Sequence, residues 1–179
     1  MHLKEEEYYA DAANLLKVGL DILFLISCSG SKGCYRKFRD MMEIRYERKV
    51  RVHPIENCYS GVHVDTTFAI LGYNKKVGKN LVIVDGNKVN RHNIPAIFRG
   101  SNWAVIEVKE YDDEHFDERF DYVSDAIGLN LLMVSPDLAI ISDQQRKMKK
   151  ILEFYGIEVI MMKNKHTKQL AGGFHCVTN

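Results

Sequence analysis

One pattern occurs twice in this chain: two short apolar strands joined by a tight turn. Residues 14–27 read Asn-Leu-Leu-Lys-Val-Gly-Leu-Asp-Ile-Leu-Phe-Leu-Ile-Ser, and residues 130–142 read Asn-Leu-Leu-Met-Val-Ser-Pro-Asp-Leu-Ala-Ile-Ile-Ser. The Gly-Leu-Asp and Ser-Pro-Asp segments between the apolar runs are typical of turns, because Gly, Pro and Asp favour turn conformations. Each copy therefore predicts a β-hairpin.

Each hairpin is followed by a helical pattern and then by a further strand. In both copies residues that share one helix face recur at i, i+3, i+4 and i+7. They are Phe38, Met41, Met42 and Arg45 in the first copy and Met148, Ile151, Leu152 and Tyr155 in the second. Gly156 ends the second helix, and apolar strands follow at residues 50–55 and 157–162. Each copy is therefore predicted to form a ββαβ unit.

The middle of the chain fits the same plan less regularly. It predicts strands at residues 66–71 and 81–84, a short helix at 94–99 and a strand at 103–108. Two unrelated apolar hairpins are the alternative, but the shared order of strand, turn, strand, helix and strand disfavours it. A single unit of this size cannot bury its own apolar face, so repeats of this kind stack around an axis. The sequence predicts an α/β (α+β) fold of about three ββαβ units.

Composition limits the classes of partner and the number of domains. The chain has 179 residues, 46% of them hydrophobic, which suits one domain spanning residues 1–179. Its net charge is +1, with 25 basic and 24 acidic residues, so no nucleic acid partner is expected. No apolar run reaches the roughly 18 residues of a membrane span, and the N-terminus does not resemble a signal peptide. We expect a cytoplasmic protein without a membrane partner.

The final residues offer a candidate nucleophile. Cys176 follows two glycines in Gly-Gly-Phe-His-Cys-Val-Thr-Asn, and glycine permits a tight bend and the close approach of other groups. Strand-like residues follow it at Val177 and Thr178. A small buried cysteine in a terminal strand is the alternative. The irregular spacing of the four cysteines favours reduced thiols, and no metal site is expected.

A nucleophilic thiol needs a base, and the base needs an orienting partner. Of the seven histidines, His63 is the best candidate, because it lies at the predicted entry to a strand on which residues 63, 65 and 67 would share one face. That arrangement would place its imidazole beside the Asp65 carboxylate. Asp11 could orient His63, although a turn or capping role is the simpler interpretation of an aspartate in its position.

Three ordered motifs give this chain a resemblance to a known family. Asp-Ala-Ala-Asn at residues 11–14, His-Val-Asp-Thr-Thr-Phe at 63–68 and Gly-Gly-Phe-His-Cys-Val-Thr at 172–178 resemble the amidinotransferases of the guanidine-modifying, or pentein, superfamily. The resemblance runs from about residue 7 to the end of the chain. It implies a propeller of five ββαβ blades with an active site on the central axis. It also implies transfer of an amidino group from arginine to a primary amine such as glycine, without a cofactor.

The resemblance implies a role for six residues. It makes Cys176 the nucleophile, His63 the general acid/base and Asp11 the carboxylate that pairs with His63. It also implies that three residues bind substrate: Asp65 at the guanidinium, Arg91 at the substrate carboxylate and Ser124 as a further contact.

The resemblance covers only the C-terminal half of the family, whose members are about twice as long. An N-terminal half would supply the other blades and a further carboxylate for the guanidinium, so we expect an incomplete propeller with that half, or a second copy, as a partner. Arginine and an acceptor amine are the expected small-molecule partners. Two alternatives stay open: an arginine deiminase-like hydrolase, and an inactive or partner-dependent fragment.

Overall fold

The computed structural model of the protein describes residues 8–58, 63–112, 128–164 and 172–178. Its strands, in chain order, are β1 (Leu15–Val18), β2 (Asp21–Leu25), β3 (Arg51–Ile55), β4 (Phe68–Asn74), β5 (Lys79–Asp85), β6 (Trp103–Val108), β7 (Leu132–Ser135), β8 (Leu138–Ser142) and β9 (Glu158–Met162). The α-helices are α1 (Lys32–Arg45) and α2 (Arg146–Phe154). Short 3-10 helices occur at Ala12–Asn14, Val64–Thr66 and Ala96–Arg99.

The described strands form three separate sheets with one shared topology. In each sheet the first two strands are an antiparallel hairpin, and the third strand lies parallel to the second. A parallel neighbour requires a crossover connection. The crossover contains α1 in the first unit, the 3-10 helix Ala96–Arg99 in the second and α2 in the third. The prediction of three ββαβ units is therefore confirmed.

Two local predictions were wrong. Residues 63–67 do not enter a strand, because Val64–Thr66 forms a 3-10 helix and β4 begins only at Phe68. The tail does not continue as a strand after Cys176 either. Its backbone turns, and the amide of Thr178 donates to the carbonyl of His175 at 3.2 Å. Both errors concern short segments in which side-chain hydrogen bonds replace the ladder of a sheet.

The units pack through two apolar cores on opposite faces of the middle sheet. Alternate residues of β5 point to opposite faces. Val82 and Val84 contribute to the core shared with the first unit, whereas Leu81 and Ile83 contribute to the core shared with the third. All four are fully buried. The middle sheet is thus covered on both faces, which explains the continuous apolar run of its central strand.

Each core also contains the crossover helix of the later unit. Phe98, from the 3-10 helix of the second unit, belongs to the first core, and Met148 and Leu152 of α2 belong to the second. In the first unit, α1 packs on the opposite sheet face, where Phe24 contacts Tyr35 and Phe38. In the second and third units the crossover helix therefore lies on the sheet face that is directed toward the preceding unit. In the first unit α1 lies on the corresponding face, which is directed away from the second unit.

Candidate active site

A cavity of about 460 Å³ lies where the first strands of the three units meet. Its walls come from β1, β4 and β7, from Asp65, from Leu129 and Leu131, from the turn residue Pro136, and from the C-terminal tail. Most of the lining side chains are apolar, and the charged or titratable ones among the described residues are Lys17, Asp65 and His175. The first strand of each unit thus lines one shared cavity, which is also lined by the Asp65 carboxylate and the His175 imidazole.

The backbone bend that carries Cys176 is held against Asn130. A Cβ added at Gly173 would lie 2.5 Å from Asn130 Oδ1 and 2.6 Å from its Cβ, so only glycine allows the tail to approach this closely. The amide of Phe174 donates to the backbone carbonyl of Asn130 at 3.2 Å. The predicted role of the glycines as a close-approach segment therefore has a specific structural cause.

Cys176 and Asp65 lie side by side. The Cys176 thiol donates to Asp65 Oδ2 at 3.3 Å. The same oxygen accepts from Asn130 Nδ2 at 2.8 Å and is 3.0 Å from His175 Nδ1. Asp65 Oδ1 is buried and has no hydrogen-bond partner among the described residues. One oxygen of this carboxylate is therefore fully engaged, and the other is left without a donor.

The surroundings shift the pKa values of Asp65 and Cys176 in opposite directions. Burial raises the pKa of Asp65, but the hydrogen bonds and the charge of His175, with the bonds from Cys176 and Asn130, outweigh it and hold the pKa below its usual value. The pKa of the Cys176 thiol is raised, first because its neighbours reduce hydration of the thiolate and then because the Asp65 carboxylate repels it. The residue as a whole is exposed. In this structure the site holds a carboxylate beside a protonated, accessible thiol.

His63 pairs with Asp11, and not with Asp65. Its Nε2 lies 3.2 Å from Asp11 Oδ2. Asp11 also caps the 3-10 helix Ala12–Asn14 by accepting from the amide of Ala13 at 2.9 Å. This backbone bond is the main cause that lowers the pKa of Asp11, and His63 adds to it. Asp11 therefore serves both as the expected cap and as the partner of the imidazole, whereas the shared strand face of His63 and Asp65 does not exist.

Two predicted substrate contacts are not brought to the cavity by the described part of the chain. Arg91 lies in an exposed turn between β5 and β6, where its Nε donates to His92 Nε2 at 3.1 Å. Ser124 lies outside the described residues. Among the described residues, no group of three or more His, Cys, Asp or Glu side chains is placed to hold a metal ion.

Asn130 and His175 are site residues that the motif analysis did not single out. Asn130 occupies the position in the third repeat that Asn14 occupies in the first, directly before the Leu-Leu pair. Both are buried, and each contacts a glycine-containing loop. A comparison of the two copies could have identified a buried amide here, but not its contact with the thiol. His175 could have been found only from its position next to Cys176.

Comparison with known proteins gives consistent results. The chain is 35% identical over 176 residues to an inosamine-phosphate amidinotransferase of Streptomyces glaucescens, a match to 98% of this chain and 47% of that protein. It is 28% identical to the mitochondrial glycine amidinotransferase of Gallus gallus, over 94% of this chain and 37% of that protein. No family model matches the chain. The chain spans about half the length, or less, of these relatives.

Solved structures show the same relationship. An inosamine-phosphate amidinotransferase from Streptomyces griseus superposes with a TM-score of 0.80 at 34% identity, over 96% of this chain and 46% of that chain. A dimethylarginine dimethylaminohydrolase superposes with a TM-score of 0.59 at 15% identity, over 98% of this chain and 58% of its own, and this likeness concerns the fold alone.

The three ββαβ units are thus part of a pentein-type propeller, as the sequence predicted. The homologues of this chain are amidinotransferases, and the match to about half of their length agrees with the predicted resemblance to one half of that family. In the described part of the chain, no helix has the length and apolar character needed to span a bilayer.

Proposed function

We propose that this site transfers an amidino group from a guanidine donor such as arginine to a primary amine, through a covalent intermediate on Cys176. The observation that carries the proposal is the buried Asp65 carboxylate, which has one undonated oxygen and lies 3.3 Å from the thiol at the edge of a cavity. A guanidinium is a planar cation whose N–H groups match a carboxylate. Binding to Asp65 would bring its central carbon beside Cys176 Sγ.

The donor would also activate the nucleophile. Because the Asp65 charge opposes ionisation of Cys176, a guanidinium bound to that carboxylate offsets the repulsion and favours the thiolate. The thiol proton passes to neutral His63, the thiolate attacks the central carbon, and the bond from that carbon to the alkyl amine breaks. The leaving amine takes a proton from protonated His63 and departs, as ornithine when the donor is arginine. The amidino group remains on sulfur.

The second half of the reaction reverses these roles. Neutral His63 accepts a proton from an incoming primary amine, which attacks the amidino carbon as the carbon–sulfur bond breaks. Asp11, paired with His63 at 3.2 Å, orients the imidazole. His63 gives one proton to the leaving amine and takes one from the acceptor amine, so the protons balance over the two half-reactions. The reaction involves no change of oxidation state and needs no metal to balance.

The identity of the acceptor is a narrower proposal. The relatives are named for two chemically different amines, an inosamine phosphate and glycine. The shared feature of these acceptors is a primary amine beside an anionic group. Lys17 is the lysine that lines the described cavity, opposite in charge to Asp65. We propose an acceptor that carries an anion as well as the amine.

Product analysis tests this function. The protein is incubated with arginine and a panel of primary amines that carry a carboxylate or a phosphate. Release of ornithine together with an amidinated amine is the expected result. Citrulline and ammonia in place of these products would show a hydrolase. Turnover in a Cys176→Ala variant would rule out a mechanism with a covalent intermediate on Cys176.

We further propose that two additional ββαβ units complete the ring. At the two internal junctions, the crossover helix of one unit lies between its own sheet and the sheet of the unit before it. The outer side of α1 has the same kind of apolar surface, but none of the described strands covers it, and Met41 and Ile44 are 54% and 79% exposed. On the third sheet, the outer face exposes Ile160 and Met162 to 42% and 46%.

These two terminal faces are complementary in kind. The α1 face requires the sheet of a preceding unit, and the third sheet requires the helix of a following one. A segment of two units fits both, because five units is the number that the pentein resemblance implies. The test is to mix or co-express the chain with the unmatched half of an amidinotransferase relative. A stoichiometric complex on gel filtration is expected, and two independent species under all conditions would contradict the proposal.

A further inference from the structure

The side chain of Asn130 makes four hydrogen bonds, and all of them go to the residues around the thiol. Its Oδ1 accepts from the backbone amides of His175 at 2.9 Å and Cys176 at 3.1 Å. Its Nδ2 donates to Asp65 Oδ2 at 2.8 Å and to Cys176 Sγ at 2.9 Å. Asn130 is 3% exposed. Both acceptor sites and both N–H groups of this amide are therefore in use.

The orientation of the amide follows from its partners. Backbone N–H groups can only donate, so the atom that faces the amides of His175 and Cys176 must be the oxygen. The NH₂ group is then directed at Sγ and at the carboxylate. A donor fixed in this way stabilises a thiolate more than a thiol, because a hydrogen bond to a charged acceptor is the stronger one.

We propose that Asn130 is a further catalytic residue, whose amide holds Cys176 Sγ in place and donates a hydrogen bond that stabilises the thiolate. The groups that face Sγ have opposing effects. Asp65, from the 3-10 helix Val64–Thr66, repels the thiolate at 3.3 Å, and His175, on the same tail as Cys176, lies on the far side of that carboxylate. The backbone amide of Gly173 and the side chain of Asn130 are the neutral donors that offset this repulsion, and of the two only Asn130 can be changed by a side-chain substitution.

The catalytic value of the amide rests on the proposed function, but its effect on the thiol does not. The test therefore measures the thiol without substrate. Cys176 alkylation by iodoacetamide is followed against pH by mass spectrometry of its peptide, and the peptide of Cys28, an exposed thiol in the same molecule, provides an internal reference. The variants are Asn130→Asp, which keeps the acceptor and removes the donor, and Asn130→Ser, which adds no charge.

A matched control exists at Asn74. Its amide is also buried and bridges two elements, since it accepts from the amide of Val77 at 3.0 Å and donates to the carbonyl of Tyr155 at 2.9 Å. In both Asn130 variants the alkylation midpoint of Cys176 is expected to rise by about one pH unit or more. In Asn74→Asp, and for Cys28 in every variant, it is expected to stay in place.

Two results would overturn the inference. One is a Cys176 midpoint that does not move in folded Asn130 variants, and the other is an equal shift in the Asn74 control. If neither Asn130 variant folds, the unsubstituted chain carries the test. The side-chain amide resonances of Asn130 should titrate with the Cys176 midpoint and should not titrate in Cys176→Ser. Asn130 amide resonances that do not shift as Cys176 titrates would contradict the proposal. Failure of amidino transfer alone would leave these outcomes unaffected.

Discussion

Asp65 has two opposing effects on the chemistry of this site. Its charge raises the pKa of the Cys176 thiol, which slows any reaction of the free thiol near neutral pH. The Asp65 carboxylate is also the group that a guanidinium would bind. In the proposed mechanism the carboxylate, together with burial, holds Cys176 in the thiol form, and a bound guanidinium offsets the effect of the carboxylate.

The Asp65→Asn variant separates these two effects. Removal of the carboxylate is expected to lower the pKa of Cys176, so that its alkylation at neutral pH becomes faster than in the unsubstituted protein. Amidino transfer from arginine should be lost in the same variant. Both rates are measured on one preparation. Slower alkylation, or transfer that survives, would contradict the roles assigned to Asp65.

His63 should behave as the general acid/base. His63→Gln is expected to lower the transfer rate by roughly 10²–10⁴-fold, since general acid–base catalysis contributes on this order. Asp11→Asn should lower it less, because the imidazole remains. The matched control is His53→Gln. His53 makes the same kind of pair, with its Nε2 at 3.2 Å from Asp21 Oδ1, but lies on β3. An equal loss in this control would indicate a general structural effect.

At the residue scale, the sequence identified several side chains that lie close together, but it did not predict most of the contacts between them. Cys176 and Asp65 were selected as partners of one site, and the structure places them 3.3 Å apart. The expected pair of His63 and Asp11 is present at 3.2 Å, but the strand face predicted to join His63 to Asp65 is not, because Val64–Thr66 forms a 3-10 helix. Asn130 was missed because its contact with Cys176 joins residues that are 46 positions apart in the sequence.

The elements around the site depend on close backbone approach. Gly173→Ala would place a methyl group 2.5 Å from Asn130 Oδ1, which the buried side chain cannot accommodate without moving the turn. We expect a loss of transfer and an altered alkylation profile of Cys176. Gly100→Ala is the control, because its added Cβ would meet nothing nearer than 4.0 Å and its φ is −70°.

The outcome is measured by alkylation kinetics and thermal unfolding of both variants. Gly100→Ala is expected to change the free energy of unfolding by about 0.5 kcal/mol or less and to keep the Cys176 profile. If Gly173→Ala also keeps that profile, the turn is not held in the way described.

The element pattern itself could be predicted because local signals agree with it. Period-two and helical spacing place the first and third units correctly, and in the middle unit β6 matches its predicted residues 103–108. The errors fall at Val64–Thr66 and at the tail, where one or two side-chain hydrogen bonds decide the conformation. Thr66 Oγ1, for example, donates to the carbonyl of His63. Such bonds leave no periodic trace in a sequence.

At the scale of the whole molecule, the terminal faces should govern association. Ile44→Lys and Ile160→Lys change exposed positions, so each is expected to alter the stability of the chain alone by about 0.5 kcal/mol or less. Binding of the complementary half should weaken by roughly 100-fold or more, because an unpaired charge would be buried. Affinity is measured by titration. As a control, Leu20→Lys changes an exposed residue of the first hairpin turn. Unchanged affinity in the first two variants would show that these faces are not the junctions.

Three stacked units were predictable because the repeat is visible in the sequence, whereas the cavity was not. The cavity is formed by first strands that begin at residues 15, 68 and 132, and no local pattern indicates that they meet. Only the resemblance to amidinotransferases suggested an axial site.

The most direct test of the account is to trap the proposed intermediate on Cys176. The chain, alone and joined to a complementary half, is incubated with arginine labelled in the guanidino carbon, quenched in acid and digested. Label is expected on the Cys176 peptide; it should be absent in Asp65→Asn and should be lost when an acceptor amine is added. Label that never reaches Cys176 in the completed protein, or that appears on another residue, would contradict the central claim.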